Sequence, residues 1–281
     1  MAPISFSISV TLTLILSSIL SNKNLISFSF ITSWFLAFSS TFLIALSAYI
    51  YNDITDLEID RLNKPNRPLV KGEASEKEAK FLAAFLGLIS LIFSLLINLE
   101  YFIFMLILST LMFLYSLPPI RLKNRFLIKN LTIAAGSFLT YIMGGAASNF
   151  ISAPILLMGA LGFISALGTS ALVDIEDIKG DQTYSAKTLP VVWGPSLTVR
   201  FAIMLVILAG VGITVGYYQI GFNAIFLALG VCTLAAWIYV VYPLFRLSSE
   251  QIRSVEIGIF VRKIFLVCLL LQILTLVGAI M

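Results

Sequence analysis

Residues 28–61 read FSFITSWFLAFSSTFLIALSAYIYNDITDLEIDR, an uncharged apolar run that passes directly into a series of acidic residues. An α-helix needs on the order of 20 apolar residues to cross a hydrocarbon core about 30 Å thick. The run from Phe28 to Tyr51 is long enough to do so, and the acidic residues mark the point at which the chain leaves the apolar layer. This stretch predicts a helical membrane protein with polar chemistry at one end of a span.

The composition of the whole chain agrees with a membrane protein. Of its 281 residues, 59% are hydrophobic and 11% are charged, whereas a soluble domain carries about 25% charged residues. Apolar runs bounded by charges or turn residues predict nine transmembrane helices, arranged as two four-helix units plus one. The predicted spans are residues 4–20, 28–51, 81–99, 101–115, 131–147, 155–173, 199–217, 222–242 and 264–281.

Two features of the composition exclude whole classes of chemistry. The chain has no His, which excludes Ser-His-Asp and Cys-His nucleophilic machinery and His-ligated zinc or haem. The two Cys residues, Cys232 and Cys268, lie far apart in apolar runs and predict neither a disulfide framework nor a metal site. If a reaction at this protein requires a side chain to accept a proton, the absence of imidazole makes an aspartate the obvious acceptor.

Charged residues are distributed very unevenly among the connections. All but Lys23 of the 18 Lys and Arg residues, and all but Glu100 of the 14 Asp and Glu residues, lie in or beside the connections that follow even-numbered spans. Short loops rich in Lys and Arg stay cytoplasmic, whereas acidic residues contribute little to orientation. The acidic clustering therefore indicates a functional site on the cytoplasmic side. The longest connections, about 52–80 and 174–198, are too short for a soluble domain, so we expect one membrane domain, 1–281.

Two of these connections repeat one spacing of aspartates, at positions i, i+3 and i+7, which places each set on one face of a helix. The sets are Asp53, Asp56 and Asp60 after the second span, and Asp174, Asp177 and Asp181 after the sixth. Rows of like charge at a membrane boundary repel one another and are costly without a cation between them. Mg²⁺ uses one or two carboxylates together with substrate phosphates. We therefore expect two carboxylate faces that meet across the bundle at a metal-bridged polyphosphate site.

Basic residues in the same connections complete the predicted site, although the bias of Lys and Arg towards the cytoplasm would also place them there. The candidates for binding phosphate are Arg61, Lys64, Arg67, Lys71, Arg121, Lys123 and Lys187. Prolines in the turn Tyr115-Ser-Leu-Pro-Pro-Ile-Arg121-Leu-Lys123 fix an extended backbone that would hold its two basic residues in place. Lys77 and Lys80 stand among glutamates at the start of the third span, and we interpret them as surface i,i+3 and i,i+4 partners.

In this order the motifs resemble those of the UbiA superfamily of intramembrane prenyltransferases, over nearly the whole chain. The elements are Asn52-Asp53-x-x-Asp56-x-x-x-Asp60, Arg61-x-Asn63-x-Pro65-x-Arg67-Pro68, the proline turn, Asp174-x-Glu176-Asp177-x-x-x-Asp181 and Lys187-Thr188-Leu189-Pro190. The resemblance implies an all-α integral membrane bundle of about nine helices around a central cavity. The connections that carry the aspartate motifs would cap this cavity.

The resemblance also implies a role for each motif residue. Mg²⁺, with Mn²⁺ as the alternative ion, would be bound by Asn52, Asp53, Asp56, Asp60, Asp174, Asp177 and Asp181. Of these, the residues implied to be catalytic are Asp56, Asp60, Asp177 and Asp181. The diphosphate of an isoprenyl substrate would be held by Arg61, Lys64, Arg67, Arg121, Lys123 and Lys187.

The implied reaction is Mg²⁺-dependent transfer of a prenyl group, expected to be geranylgeranyl, from an isoprenyl diphosphate to a lipid-soluble acceptor. The run from Asp60 to Pro68 resembles archaeal members that alkylate geranylgeranylglyceryl phosphate in ether-lipid synthesis. The proline turn is similar to members that prenylate aromatic quinone precursors or chlorophyllide-type acceptors, so both acceptor classes stay open. We expect a multi-pass protein of the cell membrane with its site facing the cytoplasm, no nucleic-acid partner and no obligate protein partner.

A membrane transporter is the rival function from a different class. Ionisable residues inside transmembrane segments mark ion and substrate pathways, so a transporter predicts charges near the middle of the spans. The interiors of the predicted spans are almost free of charge. The pattern therefore favours an enzyme whose polar groups lie at one membrane surface.

Overall fold

The computed structural model describes residues 2–63, 65–183 and 185–280, and within these ranges every regular element is helical and no strand occurs. The helices are α1 (Ala2–Leu20), α2 (Phe28–Thr55), α3 (Leu57–Asn63), α4 (Pro68–Lys71), α5 (Glu76–Ile97), α6 (Leu99–Ser116), α7 (Ile128–Ala147), α8 (Ala153–Val173), α9 (Ile178–Thr183), α10 (Leu189–Val192), α11 (Pro195–Val215), α12 (Ala224–Phe245), α13 (Ser249–Ser254) and α14 (Ile257–Ile280). A 3₁₀ turn, Leu122–Asn124, precedes α7, and a π-helical turn, Gly216–Ile220, extends α11.

Six helices in the described part of the chain are long and apolar enough to cross a membrane. They are α2, α5, α6, α8, α11 with its π-helical extension, and α12. The remaining predicted spans correspond to α1, α7 and α14, which are also helical. The all-helical fold predicted from the apolar runs is therefore confirmed, with six candidate membrane spans. Cys232 is exposed and forms no disulfide, while the side chain of Cys268 lies outside the described residues.

The connection predicted over residues 52–80 is shorter in the structure, because both flanking helices extend into it. At its far end α5 begins at Glu76, within polar sequence. The Ser75 hydroxyl accepts a hydrogen bond from the Glu78 N–H, and the Glu78 carboxylate accepts one from the Ser75 N–H. This capping box stabilises the first turn before the apolar run starts. Hydropathy therefore marks where a helix enters the apolar layer, whereas capping marks where the helix begins.

The described chain forms two compact units, and the boundary between them falls inside α7. The first unit comprises residues 1–122 and 143–150, and the second comprises residues 123–142 and 151–281. The first contains α1, α2, α5 and α6, and the second contains α8, α11, α12, α14 and most of α7. The expectation of one domain over residues 1–281 stays a prediction.

Hydrogen bonds between buried polar side chains join the helices of the first unit. The Tyr101 hydroxyl lies 3.1 Å from Ser40 Oγ and 2.9 Å from Thr41 Oγ1, and it donates to the Ala37 carbonyl at 3.1 Å. Ser90 Oγ donates to the Ser40 carbonyl at 2.7 Å. Lipid is as apolar as a leucine side chain, so such hydrogen bonds and close packing stabilise helix pairs in a membrane. These contacts connect α2, which carries the first aspartate motif, to α5 and α6.

An apolar core in the second unit lies directly beneath the second aspartate motif. Ile175 and Ile178, which alternate with the acidic residues, are 4% and 2% exposed and pack in this core with Leu172 and Trp237. Gly168 lets the Trp237 ring approach α8, since a Cβ at this glycine would lie 2.9 Å from Cη2 of the ring. Burial of the two isoleucines sets which way the polar residues between them face.

Candidate functional site

The first aspartate motif extends over two helices, although its spacing predicted one continuous helical face. α2 ends at Thr55, and Asp56 follows as its C-cap with φ −104° and ψ 8°. The Asp56 N–H donates to the Asn52 carbonyl at 3.0 Å, and the Asp60 N–H donates to the Asp56 carbonyl at 2.8 Å. Helical spacing is therefore kept on each side of a break at the second aspartate.

The break is stabilised by the proline turn, which contacts α2 at two points. In a continuous helix the Thr55 carbonyl would accept from the N–H four residues later, but here Arg121 Nη2 donates to it at 2.9 Å. A guanidinium at the carboxyl end of a helix also offsets the partial negative charge there. Ser116 Oγ, at the other end of the turn, donates to Oδ1 of Asn52 at 2.7 Å. The structure thus places Arg121 on the backbone of the first motif.

Arg67 bridges two carboxylates of the first motif. Its Nη1 donates to Asp53 Oδ1 and to Asp60 Oδ2. Asp60 is 4% exposed, and a carboxylate so buried is costly unless it is paired. Arg67 therefore stabilises this arrangement, and the space between the two aspartates accommodates a cationic group. This contact brings together three residues of the site predicted from the sequence.

The second aspartate motif also lies at a helix break, although four residues separate its helices where the first motif has one. α8 ends immediately before Asp174, and α9 begins immediately after Asp177. The Asp181 N–H donates to the Asp177 carbonyl at 2.9 Å, as Asp60 donates to Asp56 in the first motif. The two motifs therefore share a helix break and a hydrogen bond as well as a spacing.

Asp174 is the most deeply buried carboxylate of the second motif, at 1% exposed. Lys129 Nζ lies 2.7 Å from its Oδ1, and Asn130 Nδ2 donates to its Oδ2 at 2.9 Å. Burial raises the pKa of Asp174, while the Lys129 ammonium and the hydrogen bonds from Lys129 and Asn130 oppose that rise. Both partners come from the first turn of α7, so this aspartate is held by a segment remote in sequence.

Asp177 and Asp181 are the more accessible carboxylates of the second motif. Asp177 is exposed, and Asp181 is half-buried with its Oδ2 accepting from Thr188 Oγ1 at 2.8 Å. Burial raises the pKa of Asp181; the Lys129 charge and the Thr188 hydrogen bond lower it, and the charges of Asp177 and Asp174 raise it further. A bound cation would offset this repulsion between like charges.

Two basic residues of the first connection form ion pairs on the surface. Arg61 Nη1 lies 3.2 Å from the Glu58 carboxylate, and both side chains are exposed. Lys80 Nζ lies 3.0 Å from Glu76 Oε2, one helical turn away. This contact confirms Lys80 as a surface i,i+4 partner. Lys64, a predicted diphosphate contact, lies outside the described residues.

The other two basic candidates lie on connections that contact each other within the second unit. Lys123 is buried in the 3₁₀ turn at 9% exposed, whereas Lys187 is exposed. The Lys187 N–H donates to the Asn124 carbonyl at 3.1 Å, and the rings of Phe126 and Trp193 pack edge to face with centroids 5.3 Å apart. These contacts attach residues 124–126, which follow the proline turn, to the connection that follows the second motif.

Each aspartate motif, taken by itself, has carboxylates of the kind that bind Mg²⁺ together with a diphosphate. Within residues 2–63, 65–183 and 185–280, no three acidic side chains converge closely enough to hold a metal ion by themselves. In phosphate-binding sites Mg²⁺ is held by one or two carboxylates, phosphate oxygens and water. Asp56, which is half-buried, and Asp177, which is exposed, offer such oxygens. Arg67 already lies between two carboxylates, where a positive charge is stabilised.

Four polar residues that hold the motif side chains are absent from the predicted site, among them Asn130, which donates to Asp174. Ser116 holds Asn52, Thr188 holds Asp181 and Lys129 holds Asp174. Ser116 and Thr188 lie within the motifs, but their residue types alone predict no partner. Lys129 carried a usable signal, because a lysine in the first turn of a helix opposes the helix dipole and so indicates a nearby carboxylate.

Comparison with known protein sequences agrees with the motifs. A sequence model of the UbiA prenyltransferase family matches residues 10–269. Digeranylgeranylglyceryl phosphate synthase from Methanosphaera stadtmanae is 32% identical over 200 residues, which cover 71% of this chain and 72% of that protein. The protein of the same name from Thermococcus sibiricus is 38% identical over 184 residues, covering 61% of this chain and 63% of its own length.

Solved structures share the fold over almost the whole chain. A structure from work on the biosynthesis of digeranylgeranylglyceryl phosphate synthase in membranes has a TM-score of 0.75 and 26% identity, covering 99% of this chain and 94% of that one. A UbiA homolog from Archaeoglobus fulgidus, bound to GPP and Mg²⁺, has a TM-score of 0.72 at 18% identity, covering 95% and 97%. That second likeness concerns the fold alone. With motifs, sequence match and fold in agreement, the chain belongs to the UbiA prenyltransferase family.

Proposed function

We propose that this protein transfers a geranylgeranyl group from geranylgeranyl diphosphate to geranylgeranylglyceryl phosphate, a reaction of ether-lipid synthesis. The observation that carries the proposal is the repeated aspartate motif, in which both copies have a helix break and an equivalent backbone hydrogen bond between the last two aspartates. The relatives named digeranylgeranylglyceryl phosphate synthase, at 32% and 38% identity, support this acceptor over an aromatic one.

Transfer requires one bond to break and one to form. The bond between C1 of the prenyl chain and the diphosphate oxygen breaks, and the oxygen of the free acceptor hydroxyl bonds to C1. The hydroxyl proton passes to an aspartate, since the chain has no His. Diphosphate leaves with the electron pair of the broken bond, so negative charge on it increases during the reaction.

The residues of the site bind and neutralise that leaving group. Bound Mg²⁺ supplies charge stabilisation for the diphosphate, and in this proposal the carboxylates that hold it are Asp56, Asp60, Asp177 and Asp181. Arg67 and Lys123 donate hydrogen bonds to diphosphate oxygens, and Lys64 and Lys187 add positive charge. Arg121 contributes indirectly, because it donates to the Thr55 carbonyl at the end of α2 and so holds the backbone of the first motif.

The apolar helices exclude water from the reacting prenyl chain, which carries an allylic cation once the diphosphate has left. We propose that α1, α7 and α14 also cross the membrane, which would give nine spans enclosing a cavity for the prenyl chain. Each of the nine predicted spans is helical in the described residues, which supports this number. The site would face the cytoplasm, because the connections that carry the motifs also hold nearly all of the Lys and Arg residues.

The proposal is tested with membranes that contain the protein, Mg²⁺ and labelled geranylgeranyl diphosphate. Geranylgeranylglyceryl phosphate and a panel of aromatic acids are offered in parallel, with EDTA-treated membranes as the control. We expect label in the glyceryl phosphate product and none after chelation. Label only in an aromatic product would refute the acceptor, and release of no diphosphate with any acceptor would refute the reaction.

A further inference from the structure

Lys129 and Asp174 form a buried ion pair within the second aspartate motif. We propose that Lys129 is a positioning residue, whose ammonium holds Asp174 so that Asp177 and Asp181 are the carboxylates of this motif that bind Mg²⁺. This inference rests on the proposed function and refines it, because the family resemblance had also assigned Asp174 to the metal. Three observations support it: Asp174 is enclosed by protein groups, Lys129 is a buried cation at the start of a helix, and the backbone connects Asp174 directly to Asp177.

The enclosure of Asp174 argues against a role as metal ligand. Its residue is 1% exposed, and each carboxylate oxygen has a protein partner, Lys129 at 2.7 Å and Asn130 at 2.9 Å. Mg²⁺ dehydrates reluctantly and keeps several waters, so a protein ligand needs at least one carboxylate oxygen that is not already occupied by another protein group. Asp177 is exposed and meets that requirement, whereas Asp174 does not.

The position of Lys129 is not explained by membrane orientation. A lysine that only marks the cytoplasmic side extends its ammonium into water, but the Lys129 side chain is 12% exposed and its Nζ lies on Asp174. It also stands in the first turn of α7, where the helix dipole disfavours a cation. A cation buried at this place needs a carboxylate partner, and Asp174 is that partner.

The pair acts on the metal ligands through the backbone. Asn130 Nδ2 donates to Ser170 Oγ at 3.1 Å as well as to Asp174, and the Asp174 N–H donates to the Ser170 carbonyl at 3.1 Å. Asp174 is therefore attached to α7 and to the last turn of α8 at once. It begins the short turn that ends at Asp177, so holding it sets where the exposed carboxylate stands.

The experiment measures Mn²⁺ affinity by electron paramagnetic resonance on the full-length protein in detergent, with geranylgeranyl diphosphate present. Lys129→Met should weaken Mn²⁺ binding by about ten- to a hundredfold, the range for residues that orient metal ligands. Lys129→Arg, which keeps the charge, should retain most of the affinity. The matched control is Lys80→Met, which breaks an exposed pair with Glu76 and should leave Mn²⁺ binding unchanged.

A double variant separates the anchor from a ligand by the direction of the change. If Asp174 is an anchor, adding Asp174→Leu to Lys129→Met removes the unpaired buried carboxylate, and Mn²⁺ affinity and melting temperature should both rise above those of the single variant. If Asp174 is a ligand, the double variant should bind Mn²⁺ more weakly than Lys129→Met, and the inference fails. The melting temperature, measured without metal, shows that each variant is folded.

The outcomes also separate this inference from the proposed function. Weaker Mn²⁺ binding in the double variant, while the parent protein transfers prenyl groups, would overturn the role of Lys129 and leave the reaction standing. A parent protein that binds no Mn²⁺ and transfers no prenyl group would overturn both. Equal loss of Mn²⁺ affinity in Lys129→Met and Lys80→Met would also overturn the inference, because any lost lysine would then have the same effect.

Discussion

At the scale of single residues, protein cations lie against the carboxylates of both motifs. Arg67 bridges Asp53 and Asp60, and Lys129 pairs with Asp174. Each buried aspartate therefore has a positive partner within its own unit, while Asp56 and Asp177 keep more accessible oxygens. This division leaves Asp56 and Asp177 more open to a bound ion than the paired carboxylates, which also hold the site together.

Replacing either accessible aspartate should stop the reaction without unfolding the protein. We expect Asp56→Asn and Asp177→Asn each to lower the transfer rate by about 10²–10³-fold, because each removes charge that holds the ion on the leaving group. The measurement is labelled geranylgeranyl transfer, with the melting temperature recorded in parallel. Glu58→Gln, an exposed acid in the same connection, is the control. Activity within a few-fold of the parent in either aspartate variant would contradict a two-motif site.

Replacing Arg67 tests whether a basic residue binds substrate or only orients the chain. Arg67→Gln should weaken the apparent affinity for geranylgeranyl diphosphate by about ten- to a hundredfold, since a hydrogen bond to a charged group contributes about 1.5–3 kcal/mol. Lys80→Gln, at an exposed pair, should leave that affinity unchanged. The two apparent affinities decide the matter, because equal effects would mean that orientation signals had been mistaken for a binding site.

At the scale of elements, the ends of helices build the site. α2 and α8 both stop at an aspartate motif, and a short helix resumes after each break. At the first break Arg121 occupies the Thr55 carbonyl, and Ser116 reaches Asn52. The proline turn therefore holds the end of α2 in place through these two hydrogen bonds. The sequence indicated a rigid turn here but not the helix end that it contacts.

Loss of the hydrogen bond between Arg121 and α2 should lower both the stability and the activity of the protein. Arg121→Gln removes a charge-assisted hydrogen bond to the Thr55 carbonyl, which should lower the free energy of unfolding by about 1.5–3 kcal/mol. Arg125→Gln is the matched control, since Arg125 is exposed in the same connection. Unfolding in mixed micelles, followed by circular dichroism, gives the comparison. Equal free energies of unfolding for the two variants would show that the proline turn does not stabilise the end of α2.

At the scale of the whole molecule, charged residues are concentrated in the connections that follow the even-numbered predicted spans, and the other connections are almost uncharged. Lys23 is the lone basic residue in the connections of the sparse side, and its Nζ donates to the Ser148 carbonyl within the first unit. The exposed apolar side chains along the candidate spans suit contact with lipid. We propose that this charge asymmetry reflects a site on one side of the membrane.

One-sidedness is testable in sealed vesicles. Labelled geranylgeranyl diphosphate, which does not cross a bilayer unaided, should be consumed by inside-out vesicles, because the motif connections are then outside. Right-side-out vesicles should be inactive until detergent opens them, and that opening also serves as the control for enzyme content. Activity of intact right-side-out vesicles, equal to that after opening, would contradict the cytoplasmic placement.

Local patterns along the chain were enough to predict the helices, the motifs and the class of chemistry. Hydropathy over about 20 residues reports a span because helical hydrogen bonds are local and the apolar layer acts on every residue in turn. The repeated aspartate spacing likewise indicated a polyphosphate site before any contact was known. For these features, each residue's environment depends on its near neighbours along the chain.

Which polar partner contacts which motif side chain, in contrast, depends on the tertiary structure. Asn130 and Asp174 are 44 residues apart, and Ser116 and Asn52 are 64 apart, so no local pattern connects them. The helix break at Asp56 also depends on a remote contact, because Arg121, which donates to the Thr55 carbonyl, lies in a distant turn. Such pairings follow from how separate helices pack, because packing alone brings remote side chains within hydrogen-bonding distance and removes them from water.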